Sequence, residues 1–279
     1  MITPFPKSAL LKPGPAPAEE SARKRPDPAL LADLRARIRR LEQGGAAEGE
    51  DSGLFTLGAD EIDAALPRGG LVRAALHEII GPPGAASGFC AALLHRLGAP
   101  LTHECEAVLW CRWRHDLYGP GLAAMGLDPS RLVLVRGRRD TDILWAMEEG
   151  LRSGVPAAVI GDAATPAPIA LRRLQLAAET GGVTGFLMQA ALRAEHGASP
   201  AMTRWRVTPL PGGFSGGFTD PLTPRWRLEL LRCRGGRPGA WDVCWHGGRT
   251  DSGAGTFKVL APALVESAPA AIPVTAQVS

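Results

Sequence analysis

Lysine is almost missing from this chain: of its 31 basic residues only Lys7, Lys12, Lys24 and Lys258 are lysine, and the rest are arginine. Arginine is the better fork for phosphate or carboxylate, although an arginine- and alanine-rich genome composition accounts for the same bias. No CxxC pair occurs among the five cysteines, Cys90, Cys105, Cys111, Cys233 and Cys244. An odd, unpaired set argues against a disulfide framework and suits a reducing cytoplasm. His103, Cys105, Cys111 and His115 match no zinc spacing, and Ala107–Cys111 reads as a buried strand, so no metal is expected. No apolar run reaches the roughly 18 residues of a membrane span. Met1–Pro17 carries prolines and scattered lysines without the apolar centre of a signal peptide. These absences point to a cytoplasmic protein with no membrane partner. A net charge of +3 neither demands nor forbids nucleic acid. The 45% hydrophobic content is ample for a core, and 279 residues suit one large α/β domain with tails or two small domains.

The chain is organised around Leu71–Leu97. It reads as a strand (Ala75–Ile80), a Gly/Pro/Ser-rich turn (Gly81–Gly88) and an apolar helix starting near Phe89. That is the place of a phosphate-binding loop, where backbone N–H groups at a helix N-terminus surround phosphate oxygens. A working loop has the form G-x-x-x-x-G-K-[ST], with Lys on the phosphates and Ser/Thr on magnesium. Counting from Gly81 puts Ala86, Ser87 and Gly88 at the last three positions. Pairing Gly88 with the second glycine instead gives Phe89 and Cys90. Neither register supplies a cation, so the expectation is a loop that keeps its shape and has lost its chemistry, with Gly81, Pro82, Gly84, Ser87 and Gly88 as vestigial nucleotide contacts.

Residues 1–26 read as a disordered lead-in rich in Pro, Ala and charge. Asp27-Pro28 is a helix start, and Leu30, Leu31, Leu34, Ile38 and Leu41 recur at helical steps until Gly44-Gly45. This amphipathic helix (27–44) precedes a linker (45–52) and either packs on its own core or docks on a partner. A core over 53–246 follows. It has a helix at Ala59–Leu66, then strands at Ala75–Ile80, Ala107–Cys111, Arg131–Val135, Ala157–Asp162 and Val183–Gln189. Helical stretches at Ala123–Gly126, Thr141–Arg152 and Pro168–Thr180 alternate with them. Short apolar strands alternating with helices imply a mostly parallel sheet buried on both faces, with ligands at the strands' carboxyl ends. Thr203–Val207, Arg225–Arg232 and Ala240–Trp245 add an antiparallel extension, and 247–279 reads as a flexible tail.

Several phrases in order carry a family resemblance. Thr56-Leu57-Gly58, Leu66-Pro67-Arg68-Gly69, the Gly81–Gly88 loop, a strand ending in Asp162 and one ending in Gln189 resemble the RecA recombinase core. Asp116–Leu122, Gly126–Pro129, Arg172–Glu179, Thr203–Val207 and Leu230–Gly239 more specifically resemble the ImuA family, RecA-related proteins of bacterial damage-inducible mutagenesis cassettes. The resemblance spans about Leu30 to Trp245. It implies a RecA-like α/β fold and a non-catalytic role in SOS-induced translesion synthesis. The implied partners are RecA, an ImuB-like Y-family protein and an error-prone C-family polymerase subunit, with recruitment to the nucleoid on DNA damage.

Under that resemblance Asp162 stands at the Walker B position, although a strand-end Asp equally caps a turn. Gln189 matches the glutamine coupling nucleotide to the DNA loop. The water-positioning carboxylate is replaced by Arg112-Trp113-Arg114, with Asp116 expected out of reach. Hydrolysis therefore lacks its electrostatic stabilisers, and neither a catalytic residue nor a cofactor is expected beyond weak ATP contact through loop N–H groups. Arg204 and Arg206 flank Trp205, and Arg225 and Arg227 flank Trp226. Basic residues beside aromatics suit single-stranded DNA, and an edge strand with Trp inward and Arg outward gives the same pattern. Arg136, Arg138 and Arg139 form a further basic cluster at the carboxyl end of the RLVLV strand. An active ATP-dependent RecA paralogue and a SulA-type division inhibitor are the alternative readings.

Overall fold

The computed structural model describes residues 53–98, 107–114, 116–190, 199–212, 214–215, 218–219, 223–247 and 255–260. The chain enters through β1 (Leu54–Phe55) and a one-turn helix α1 (Asp60–Asp63). Next come a 3-10 turn at Pro67–Gly69 and β2 (Leu71–Val72), which pairs antiparallel with β1. Helix α1 is shorter than the expected Ala59–Leu66 because Pro67 and a left-handed Arg68 (φ 56°) break the chain there.

Strand–helix alternation then builds the sheet: β3 (Leu76–Ile80), α2 (Pro83–Leu97), β4 (Val108–Arg112), α3 (Gly119–Ala124), β5 (Leu132–Arg136), α4 (Asp140–Ser153), β6 (Ala158–Asp162), α5 (Pro168–Gly181) and β7 (Thr184–Gln189). β8 (Thr203–Pro209) follows, then a small hairpin of β9 (Phe214–Ser215) and β10 (Phe218–Thr219). The chain continues through β11 (Arg225–Cys233), β12 (Gly239–His246) and β13 (Thr256–Val259). Nine strands form one sheet in the order β13-β12-β11-β8-β3-β7-β6-β4-β5. From β8 to β5 all pairings are parallel, and β11, β12 and β13 add antiparallel strands beyond β8. The fold is the expected α/β class: a largely parallel sheet flanked by helices, with an antiparallel extension at its C-terminal side.

Period-two alternation divides the strands between two cores. Trp110, Ile160, Phe186 and Trp205 face α2 on one side. Cys111, Val159 and Leu187 face Ile143, Met147 and Leu151 of α4 and Leu171 and Leu174 of α5 on the other. Helices α4 and α5 end at Gly154 and Gly182, both left-handed (φ 70° and 71°), which is why glycine stands there.

Two departures from the sequence reading matter. Helix α2 begins at Pro83, so Gly84, Ser87 and Gly88 lie within it and the strand–helix connection is only Gly81-Pro82. Pro83 suits the first helical position, and the Ala86 N–H already donates to the Pro82 carbonyl at 2.9 Å. None of these glycines has a positive φ. The second departure is β13, inside a stretch expected to be a featureless tail. It pairs with β12 and buries Phe257 against Trp245, at 4.8 Å between ring centroids, and against Phe89, at 5.6 Å. The structured region therefore runs past residue 246.

Candidate functional site

The carboxyl ends of β3, β4, β6 and β7 meet at the start of α2, where an open α/β sheet places its ligand. The Gly/Pro/Ser-rich turn expected there is helical from Pro83 onward. The Gly81 N–H donates to the Gln189 carbonyl at 3.1 Å, and the Ser87 hydroxyl is turned to Met188 Sδ at 3.8 Å. Gly81 and Gly88 are needed for space instead. A Cβ on Gly81 would meet the Val207 carbonyl oxygen at 2.3 Å, and one on Gly88 would meet Trp226 Cζ2 at 3.1 Å. Gly84 has open space around it. The expected loop shape is thus corrected: a strand turns directly into a helix.

Asp162 ends β6 where the resemblance puts a magnesium-holding acid. Beside it, Arg112 ends β4 and is 5% exposed. Arg112 Nη2 lies 2.7 Å from Asp116 Oδ1 and 3.7 Å from Asp162 Oδ2. A guanidinium therefore supplies the positive charge that Asp162 faces, and Asp116, expected out of reach, belongs to the same cluster. Burial pushes the Asp162 carboxyl above its ordinary range. Arg112 and then Arg114 pull it back, while Asp116 and Asp140 add to the rise. Among the described residues no group of three or more His, Cys, Asp or Glu side chains is arranged for a metal. Of the conceivable zinc set, Cys111 is buried on β4, and His103, Cys105 and His115 lie outside the described residues.

Gln189 sits in a buried polar triad. Its Nε2 donates to Glu78 Oε1 at 2.9 Å, and Arg204 Nε donates to Glu78 Oε2 at 2.9 Å, with Glu78 fully enclosed. Sequence reasoning missed Glu78 and Arg112. The signal for Glu78 was an acid inside the buried strand β3, next to His77 and followed by two isoleucines, since a charge in a buried strand demands a partner.

The arginine–tryptophan strands take the edge-strand arrangement only in part. Trp205 and Trp226 point inward onto Phe89 of α2, with ring centroids 5.8 and 6.3 Å from it. Arg204 is itself buried, Arg206 pairs with Glu229 at 3.3 Å, and Arg227 pairs with Asp242 at 3.1 Å. The two tryptophans are therefore closed off as base-stacking platforms. Arg225 differs from the other three. Its Nε is buried without a hydrogen-bond partner, and among the described residues no carboxylate pairs with its guanidinium. Arg136, the last residue of edge strand β5, and Arg138, just beyond it, are exposed. Leu30, Leu34, Ile38 and Leu41 lie outside the described residues.

These features surround a cleft of about 460 Å³ over the start of α2. Leu117, Leu122, Met125 and Trp226 supply apolar wall, Arg112 and Arg225 the positive charge, and Asp116 the negative. No helix among the described residues is long and apolar enough to cross a membrane.

No protein-family model matches the chain. It is similar to Protein ImuA of Caulobacter vibrioides strain NA1000 / CB15N, with 36% identity over 205 residues, covering 67% of this chain and 82% of that protein. Protein ImuA of Caulobacter vibrioides strain ATCC 19089 / CIP 103742 / CB 15 matches to the same extent, again 36% over 205 residues.

Proposed function

The chain belongs to the ImuA family, and from that membership we propose that it is a non-catalytic, RecA-like accessory protein of damage-induced mutagenesis. It acts in error-prone translesion synthesis through contacts with RecA and with an ImuB-like Y-family protein, beside an error-prone C-family polymerase subunit. The observation that carries the non-catalytic part is the junction between β3 and α2. Two residues, Gly81-Pro82, join strand to helix, and the Asp162 carboxylate faces Arg112 at 3.7 Å. Phosphoryl transfer draws its rate from positioned cations and a metal around the phosphates, and here the strand-end acid is matched to an internal arginine. A chain of this kind works by presenting surfaces.

The test uses the purified full chain. Titration with an ATP analogue is followed by calorimetry, ATP turnover is measured with and without single-stranded DNA, and co-purification with RecA and with the ImuB-like protein is scored. The expected result is no heat, no turnover and stable association with at least one of the two proteins. DNA-stimulated turnover would overturn the reading and put an active RecA paralogue in its place.

A further inference from the structure

Strand β5 ends the nine-stranded sheet. It pairs with β4 on one side and, among the described residues, with no strand on the other. The Gly137 N–H donates to the Arg112 carbonyl at 3.1 Å, and Arg136 is in register with Arg112. In a parallel ladder, residues whose N–H and C=O meet the neighbouring strand alternate with residues whose groups point away. Val133, Val135 and Gly137 therefore turn their backbone to β4, and Leu132, Leu134 and Arg136 turn theirs outward. Both faces of this edge are open. Val133 is 50% exposed on the face of Leu109, and Leu134 is 60% exposed on the face of Trp110. Edge strands are normally blunted by a charge, a proline, a bulge or a covering element. Leu132–Val135 holds no charge and no proline, and its register with β4 has no shift.

From this geometry we infer that β5 pairs antiparallel with β5 of a second copy of this chain, about a two-fold axis at Leu134. Two-fold pairing of antiparallel strands places one residue opposite itself, and Leu134 is the middle of the three residues with outward backbone groups. Leu134 meets Leu134 of the second copy and Leu132 meets Arg136, each pair exchanging two main-chain hydrogen bonds. On the α4 face Val133 falls opposite Val135, an apolar pair at the closer, non-hydrogen-bonded spacing. A strand with a charge at its middle would bury that charge against Val133 or Leu134 at a cost, and β5 itself brings none. The ends agree as well. Antiparallel alignment carries Asp128, exposed before β5, toward the end where exposed Arg138 follows β5 in the other copy. Parallel alignment would set Arg138 beside Arg138. The contact is isologous, so it closes at two copies instead of growing into a filament. It is separate from the accessory-protein reading, since it needs neither RecA nor the ImuB-like protein.

The test is sedimentation equilibrium of the full chain over a range of concentrations, with amide hydrogen exchange followed above and below the dissociation midpoint. The expected result is a dimer whose dissociation speeds exchange at Leu134 and Arg136 about tenfold or more, while Val135, bonded to β4, keeps its protection. Leu134→Lys sets two ammonium groups opposite each other on the axis. Leu134→Pro removes an outward N–H that the sheet of one copy does not use. Each should raise the dimer Kd about tenfold or more with an unchanged circular dichroism spectrum. Leu176→Lys, at an exposed apolar position of α5, should leave the Kd as it is. A chain that stays monomeric throughout would overturn the inference, even if its β5 amides are protected, because its own residues would then cover the edge. A dimer that both Leu134 variants leave intact, or that Leu176→Lys weakens equally, would overturn it too, as would growth into an open series of oligomers.

Discussion

The carbonyl oxygen of Val207 occupies the space beside Gly81, 2.3 Å from where a Cβ on that glycine would stand. Strand β8 thus closes directly over the strand–helix junction, and Gly81 is required by a neighbouring backbone that cannot move aside. Gly81→Ala should lower stability in urea unfolding by about 2–3 kcal/mol, the range for overpacking. Gly84, one turn into the same segment, has nothing within 4 Å and a helical conformation. Gly84→Ala should therefore be neutral or stabilise by up to about 1 kcal/mol through helix propensity. Destabilisation by Gly84→Ala comparable to that of Gly81→Ala would mean that the segment is a loop after all.

Arg112 and Asp162 stand at the ends of adjacent parallel strands, and the buried arginine is what makes the strand-end acid tolerable. Removing the cation leaves two carboxylates facing each other. Arg112→Met should cost about 3 kcal/mol, as breaking a buried pair from one side does. Asp162→Asn should cost less than about 1 kcal/mol, since Arg112 keeps Asp116. The double variant should recover part of the loss, with a coupling of about 1–2 kcal/mol between the two sites. Additive losses in denaturant titrations would show that the pair does not interact.

The sequence carried the parallel block clearly. Strand β6 is a short, continuously buried apolar run, helices α4 and α5 have strong periodicity, and glycines mark the ends of both helices. The start of α2 was misread because glycine, proline and serine resemble loop composition. Pro83 at the first position, with Ala85 and Ala86 behind it, favours a helix there, but the same glycines and serine also fit the spacing of a phosphate loop. Arg112 was visible only as a residue following an apolar strand. Its partnership depends on β4 lying beside β6, a fact of strand order that no local pattern encodes. β13 escaped because four residues with one buried aromatic give too short an alternation to separate from a tail.

His77 is fully buried in β3. Its Nε2 faces the Val72 carbonyl at 2.9 Å, and its Nδ1 lies 2.7 Å from the Thr203 hydroxyl. The Val72 oxygen can only accept, so Nε2 carries the proton; Thr203 then donates to Nδ1 while accepting from Trp205 Nε1 at 3.0 Å. Burial lowers the His77 pKa from 6.5 to about 4. Between those values the unfolded chain binds a proton that the folded chain refuses, so stability falls as the pH falls through this window. The loss should be on the order of 3 kcal/mol. Urea unfolding across that range should show the decline in the wild type and a flatter profile in His77→Gln. Parallel profiles would remove His77 as the cause.

Arg204 donates to Glu78 at 2.9 Å deep in the sheet, and Glu78 also accepts from Gln189 at 2.9 Å. In sequence Arg204 looked like Arg136 and Arg138, one more cation available to a nucleic acid. Its burial gives it a different task, because a fully enclosed carboxylate must keep its counter-charge. Arg204→Met should lower stability by about 3 kcal/mol. Arg138→Ala, at an exposed position, should change it by less than about 0.5 kcal/mol. Under conditions where all three proteins are folded, anisotropy titrations with a labelled single-stranded oligonucleotide should be the same for Arg204→Met and the wild type. A selective loss of DNA affinity in Arg204→Met at unchanged stability would return Arg204 to the DNA-contact set, and the Glu78 pairing would then have to open on binding.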